Sequence, residues 1–130
     1  QLKTVEDLMI ANNDIPFINQ QSNMKKALNV ISKKKLGILV AVNSKKFTTG
    51  IITDGQIRRI SQKNLNFQDL SVEKIMTKKP IAIEKKQLAV KALSLMNRKK
   101  ITSLTVFNKK KPLTTIGVVH VHTILQSNIS

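Results

Sequence analysis

The sequence predicts an α+β fold built from two copies of one strand–helix–strand–strand–helix (βαββα) unit, related by an approximate two-fold axis. Three observations predict it. A helical pattern of apolar residues occurs twice at an offset of about 65 residues, within the range of structural repeats. Each occurrence leads into a largely apolar strand. Each copy then closes on a glycine-led strand that runs into a short helix. A three-stranded sheet with two helices buries too little apolar surface to stand alone. The two copies, assigned to residues 1–66 and 67–130, are therefore expected to shelter each other's sheets.

The elements repeat one by one. Met24, Ala27, Leu28 and Ile31 fall on one helical face, and Ala89, Ala92, Leu93 and Met96 fall on its counterpart. Before each helix lies a short strand with a proline, Pro16-Phe17-Ile18 and Pro80-Ile81-Ala82-Ile83. Ser22 is placed as the N-cap of the first helix. The middle strands are Leu36–Val42, an apolar run of the kind buried on both faces, and Ile101–Phe107, where Thr102, Ser103 and Thr105 stand among the apolar residues. Asn43 and Asn108, each followed by lysines, end them in hairpin turns. The third strands carry Gly50-Ile51-Ile52-Thr53 and Gly117-Val118-Val119-His120. Closing helices run from Gln56 to about Ser61 and from Val121 to about Gln126. Short helical leads, Val5 to Met9 and Val72 to Met76, precede the copies.

Composition narrows the chemistry. No cysteine is present, which excludes disulfides, thiolate metal sites and cysteine nucleophiles and fits a cytoplasmic protein. No apolar run approaches the ~20 residues of a membrane span, so no membrane partner is expected. No signal peptide is visible. Gln1 stands where an initiator Met would, so the start is read as an internal point of a longer chain. The net charge of +16 invites a nucleic-acid reading, but Arg58, Arg59 and Arg98 are the sole arginines. Base readout and bidentate phosphate contact favour arginine, and single strands want stacking aromatics, of which the chain has four scattered Phe. The lysines are read as a solvated face, and a nucleic-acid partner is not expected.

The order of elements resembles the tandem cystathionine-β-synthase-type (CBS) domain pair. That family has Val-x-x-x-Met leads, a Gly-hydrophobic-hydrophobic-Thr segment and an acidic residue opening the last helix. The leads and Gly50-Ile51-Ile52-Thr53-Asp54 match it. A narrower resemblance joins Lys35-Leu36-Gly37, Gly50 through Arg59, Lys100-Ile101-Thr102-Ser103-Leu104 and Gly117 through His122 to the CBS pair of bacterial arabinose-5-phosphate isomerases. The resemblance implies a preceding sugar-isomerase (SIS) domain and a parent enzyme interconverting ribulose 5-phosphate and arabinose 5-phosphate on the way to Kdo and lipopolysaccharide. It also implies that Ser130 lies near the chain's end, and that the fragment dimerises within a tetrameric parent. Sugar-phosphate nucleotidyltransferases with a CBS pair carry similar Thr-Asp-Gly strings; the His120-x-His122 segment favours the isomerase.

Catalysis is not expected within these residues. The acids are sparse and form no evident pair, and an aldose–ketose isomerase needs a base beside its carbon acid. His120 and His122 would share a face of an extended strand, but a metal site needs a third ligand, so no metal is expected. The resemblance implies a ligand-binding set of Gly37, Ile38, Thr53, Asp54, Arg58, Thr102, Ser103, His120 and His122. In nucleotide-binding relatives an Asp holds the ribose; Gln56 and Thr123 stand at those positions here. The pathway that the resemblance implies suggests a nucleotide or CMP-sugar effector such as CMP-Kdo; the alternative is an empty cleft and a pair that serves only as an oligomer scaffold, and no tightly held cofactor is implied.

Overall fold

A computed structural model describes residues 2–127. Helix α1 (Val5–Leu8) opens the chain on a capping box: the Thr4 hydroxyl accepts from the Asp7 N–H at 3.3 Å, and the Asp7 carboxylate accepts from the Thr4 N–H at 2.8 Å. Strand β1 (Ile10–Ala11) follows, then β2 (Phe17–Asn19), α2 (Met24–Lys34), β3 (Ile38–Val42), β4 (Thr48–Thr53) and α3 (Asp54–Ser61). The second pass gives α4 (Val72–Ile75), β5 (Thr77–Lys78), β6 (Ala82–Glu84), α5 (Ala89–Lys99), β7 (Ser103–Phe107), β8 (Gly117–His120) and α6 (Val121–Gln126). Both strand–helix–strand–strand–helix repeats are present in the order the sequence predicts. The inference about Ser130 lies outside the described residues.

Two local expectations shift. Asn23, not Ser22, caps α2: its side-chain oxygen accepts from the Lys26 N–H at 2.9 Å, and Ser22 instead lends its carbonyl to the Val72 N–H at 2.8 Å. Helix α3 starts at Asp54 rather than Gln56, because Thr53 is the residue in extended conformation whose hydroxyl receives the first free N–H.

Each sheet has four strands, not three. In one, β2 runs parallel to β3, β3 antiparallel to β4, and β4 antiparallel to β5. In the other, β6 runs parallel to β7, β7 antiparallel to β8, and β8 antiparallel to β1. The added strands come from the leads, and each lead serves the copy it does not precede. The chain accordingly divides into a continuous unit, Pro16–Pro80, and a split unit, Gln1–Ile15 with Ile81–Ser130. These spatial units are a different division of the chain from its sequence repeats, and the reason is burial. Val72 and Met76 lie in the core formed by Met24, Ala27, Leu39 and Ile52, whereas Val5 lies in the core formed by Ala92, Met96, Leu104 and Ile124. Val5 and Val72 are fully buried, and Thr4 bridges Leu88 just as Ser71 bridges Asn23.

The third-strand glycines are the counterpart of this arrangement. A Cβ built on Gly50 would stand 2.7 Å from both the Met76 sulfur and the Thr77 carbonyl oxygen. One on Gly117 would collide with the Met9 sulfur and stand 3.0 Å from the Ile10 carbonyl. The glycines let the incoming methionine and edge strand lie flat against β4 and β8. The Val-x-x-x-Met lead and the Gly-led strand are thus two halves of one packing contact.

Candidate functional site

Local chain geometry assembles the candidate residues into two matching constellations, one per unit. In the continuous unit, α2 ends at Lys35 in the left-handed region, φ 57°, and Gly37 follows at φ 71°. These two positive-φ residues turn the chain from the helix into β3. Gly37 then offers its carbonyl to the Asp54 N–H at 3.0 Å. Ile38, fully buried, pairs in register with Thr53. Gly37, Ile38, Thr53 and Asp54 therefore meet where β3 begins and β4 passes into α3. A side chain on Gly37 would reach the Asp54 carboxylate at 3.1 Å, in a backbone conformation that disfavours any side chain.

The split unit repeats this with other residues. Thr102 offers its carbonyl to the Val121 N–H at 2.9 Å, and Ser103 pairs in register with His120. His120 takes the place of Thr53 as N-cap: its Nδ1 accepts from the His122 N–H at 3.1 Å. The two imidazoles stack with centroids 5.0 Å apart. Thr102, Ser103, His120 and His122 thus lie together at this end of the sheet, and Val121 stands where the first copy has Asp54. Among the described residues no three His, Cys, Asp or Glu side chains gather into a metal-binding group.

Burial, and then repulsion from His122, hold the His120 imidazole below its ordinary value of 6.5. The Nδ1 that accepts a backbone hydrogen bond has to be unprotonated, which agrees with that direction. The sign of the pH effect follows. Just below pH 6.5 the unfolded chain binds this proton and the folded chain does not, so stability rises with pH there. The contribution is complete above about pH 6.5 and is lost as pH falls through the lowered folded value. Urea titrations at pH 7 and pH 5.5 are expected to show a lower midpoint at the acid pH, with the difference reduced in His120→Asn.

Gln56 departs from its expected role. Its side-chain oxygen accepts from the Thr53 N–H at 3.0 Å, closing a capping box, and its amide nitrogen donates to the Thr77 hydroxyl at 2.9 Å. Gln56 thereby ties the end of β4 to the edge strand β5, and its acceptor is occupied within the unit. Asp54 and Arg58 are exposed on α3 and face solvent with their charged groups. None of the candidate residues lines the hollow of about 470 Å³ bounded by Leu28, Ile57, Leu65 and Phe67. The continuous unit offers one carboxylate and one guanidinium and the split unit two imidazoles, each beside hydroxyl or backbone groups. Both sets suit recognition of a polar ligand.

Sequence reasoning missed Thr77 and Glu84. The Glu84 carboxylate accepts from the Lys86 N–H at 2.8 Å and the Lys109 N–H at 2.9 Å, which lowers its pKa from the ordinary glutamate value. Asn19 is its counterpart, accepting from the Gln21 N–H at 2.8 Å, so the repeat itself carried a signal for this position.

Comparison with known proteins agrees with the geometry. The family model of the CBS domain matches residues 5–63 and again 72–129. The arabinose 5-phosphate isomerase KdsD of Escherichia coli (strain K12) is 32% identical over 128 residues, covering 98% of this chain and 38% of that protein. Its counterpart in Francisella tularensis is 34% identical over 123 residues, covering 94% of this chain and 36% of that protein. The chain thus spans under two fifths of the length of the curated relatives it matches. Among solved structures, the CBS-domain containing protein ATU1752 from Agrobacterium tumefaciens superposes with a TM-score of 0.86 at 14% identity, covering 99% of this chain and 96% of that one. CBSX2 in complex with AMP gives 0.80 at 19% identity over 96% of this chain and 95% of that one. The CBS domain pair of MJ0100, in complex with 5-methylthioadenosine and S-adenosyl-L-methionine, gives 0.86 at 18% identity over 98% of this chain and 96% of that one.

Proposed function

The chain belongs to the CBS domain family, twice over and in tandem, and from this premise we propose that it is the effector-sensing module of a sugar-phosphate isomerase. The parent would interconvert D-arabinose 5-phosphate and D-ribulose 5-phosphate in a catalytic SIS domain elsewhere in the same polypeptide, within the cytoplasm and on the route to lipopolysaccharide. The observation that carries this reading is the near-complete alignment of the chain with arabinose 5-phosphate isomerases. Recovery of the flanking coding sequence tests it: an SIS domain supports the reading, and a nucleotidyltransferase fold after Ser130 overturns it.

The effector is a CMP-sugar rather than an adenine nucleotide. Gln56 is occupied by Thr53 and Thr77, and Thr123 stands at the equivalent place, so neither position presents the carboxylate that would accept from two ribose hydroxyls. In the continuous unit Asp54 supplies an acceptor for sugar hydroxyls and Arg58 a cation for an acidic sugar. A ligand that binds the folded state at a hundred times its Kd adds about 2.7 kcal/mol, or roughly 8–13 °C in Tm for a chain of this size. Thermal shift with CMP-Kdo is expected to show such a rise, diminished by Asp54→Ala, while AMP and ATP give none. A rise with AMP equal to that with CMP-Kdo would defeat the choice of effector.

A second role in assembly is favoured by the helices of the split unit. Val90 on α5 and Leu125 on α6 are half exposed, 50% and 56%, on two helices that pack together. Light scattering on the purified chain is expected to give a dimer, and the double variant Val90→Glu, Leu125→Glu a monomer of unchanged circular dichroism.

A further inference from the structure

We propose that the hairpin end of the split unit is a docking surface for an anionic lipid bilayer. Glu84 organises this end by receiving the N–H groups of Lys86 and Lys109, which fastens β6 to the loop between β7 and β8. The Lys85 N–H donates to the Phe107 carbonyl at 2.9 Å and continues the tie. The amino-terminal segment is held to the same end. Val5 and Glu6 donate to the carbonyls of Gln87 and Lys85 at 2.8 and 3.0 Å, and Ala89 donates to that of Lys3 at 2.9 Å. Three stretches distant in sequence thus bring Lys3, Lys86, Lys109, Lys110 and Lys111 together, all exposed.

Three acids nearby, Glu6, Asp7 and Glu84, offset part of this charge and leave the lysines in excess. Asp7 is engaged with Thr4, Glu84 with two backbone N–H groups, and Glu6 lies 3.4 Å from the Lys85 ammonium. Apolar side chains stand out among the lysines: Leu113, in the lysine-rich loop itself, is 59% exposed, and Leu2 and Leu88 are exposed beside it.

Lysine attracts phosphate as a point charge, without the bidentate geometry that arginine brings to nucleic acid. An exposed leucine inside a lysine loop gains nothing from a nucleic-acid backbone. It gains apolar burial once it enters the boundary between lipid headgroups and acyl chains. Basic residues near an anionic leaflet add attraction over a Debye length. The surface lies on a membrane and does not cross it; no described helix is long and apolar enough to span one.

The test is sedimentation of the purified chain with vesicles of phosphatidylglycerol and phosphatidylcholine at physiological salt. A chain of net charge +16 is drawn to any polyanion, so the control has to match charge. The triple variant Lys109→Ala, Lys110→Ala, Lys111→Ala is compared with Lys25→Ala, Lys26→Ala, Lys63→Ala, which removes three exposed lysines from the continuous unit. Each lysine at the surface is worth about fivefold in affinity, so the hairpin variant is expected to bind about a hundredfold more weakly and the control less than about fivefold. The chain has no tryptophan, so Leu113→Trp reports insertion alone: its emission is expected to shift to the blue on binding and to be quenched by lipids brominated in the acyl chain. Equal losses in the two triple variants would overturn the proposal, because attraction would then be diffuse. Vesicle binding without any shift at position 113 would overturn it as well. So would an equal loss of duplex DNA affinity in the hairpin variant with no lipid insertion, which would assign the end to nucleic acid.

Discussion

Replacing Gly50 or Gly117 by alanine is expected to destabilise the chain by about 2–3 kcal/mol, the cost of forcing one methyl group into a filled contact. Neither glycine needs its conformational freedom; the penalty is steric. At Gly50 the new carbon would meet a backbone oxygen, that of Thr77, besides the Met76 sulfur, and a backbone atom cannot swing aside. At Gly117 the first obstacle is the Met9 side chain. The two sites therefore differ in rescue. Met9→Ala is expected to recover much of the loss in Gly117→Ala, whereas Met76→Ala recovers little in Gly50→Ala. Chemical denaturation of the single and double variants gives the coupling directly. Equal rescue at both glycines would contradict the role given to the Thr77 carbonyl.

A larger effect is expected from Val5→Asp and Val72→Asp. Each valine is fully buried, and a carboxylate in its place would have no partner, at a cost of roughly 4 kcal/mol or more. The location of the damage matters more than its size. Val5 lies close in sequence to the continuous unit but packs among Ala92, Met96 and Leu104. Val72 lies close in sequence to the second copy but packs among Met24, Ala27 and Leu39. Hydrogen exchange by mass spectrometry is expected to show protection lost first in β7 and β8 for Val5→Asp, and first in β3 and β4 for Val72→Asp. Loss of protection in the copy that each valine immediately precedes would refute the interleaving of the leads.

Much of this architecture was legible in the residues. The doubled helical face from Met24 and from Ala89 fixed the repeat, and the apolar run of β3 marked a strand buried on both faces, with β7 following as its counterpart in the second copy. The helix starts were less legible. Ser22, Asn23 and Ser71 are all competent caps, and which of them serves depends on the bridge between Asn23 and Ser71, a contact remote in sequence. The fourth strands were invisible for a related reason. Ile10–Ala11 and Thr77–Lys78 are two-residue segments with no alternation to read, and their partners are supplied by the other copy. The same holds at the candidate site. Thr53 and His120 could be placed at strand ends from pattern alone, but the engagement of Gln56 with Thr77 required knowing that β5 lies beside β4. Local chemistry was readable where both partners sit within a few residues, and lost where the partner arrives from the opposite repeat.

The nesting of one unit within the sequence of the other also sets an order of events during synthesis. Once residue 80 has cleared the ribosomal tunnel, every strand of the first sheet is present and the segment Pro16–Pro80 can close on itself. The segment before Pro16, although made ahead of that unit, has nothing to pair with until β8 emerges. Within the pair of repeats, the stretch synthesised first is thus the last to find its place.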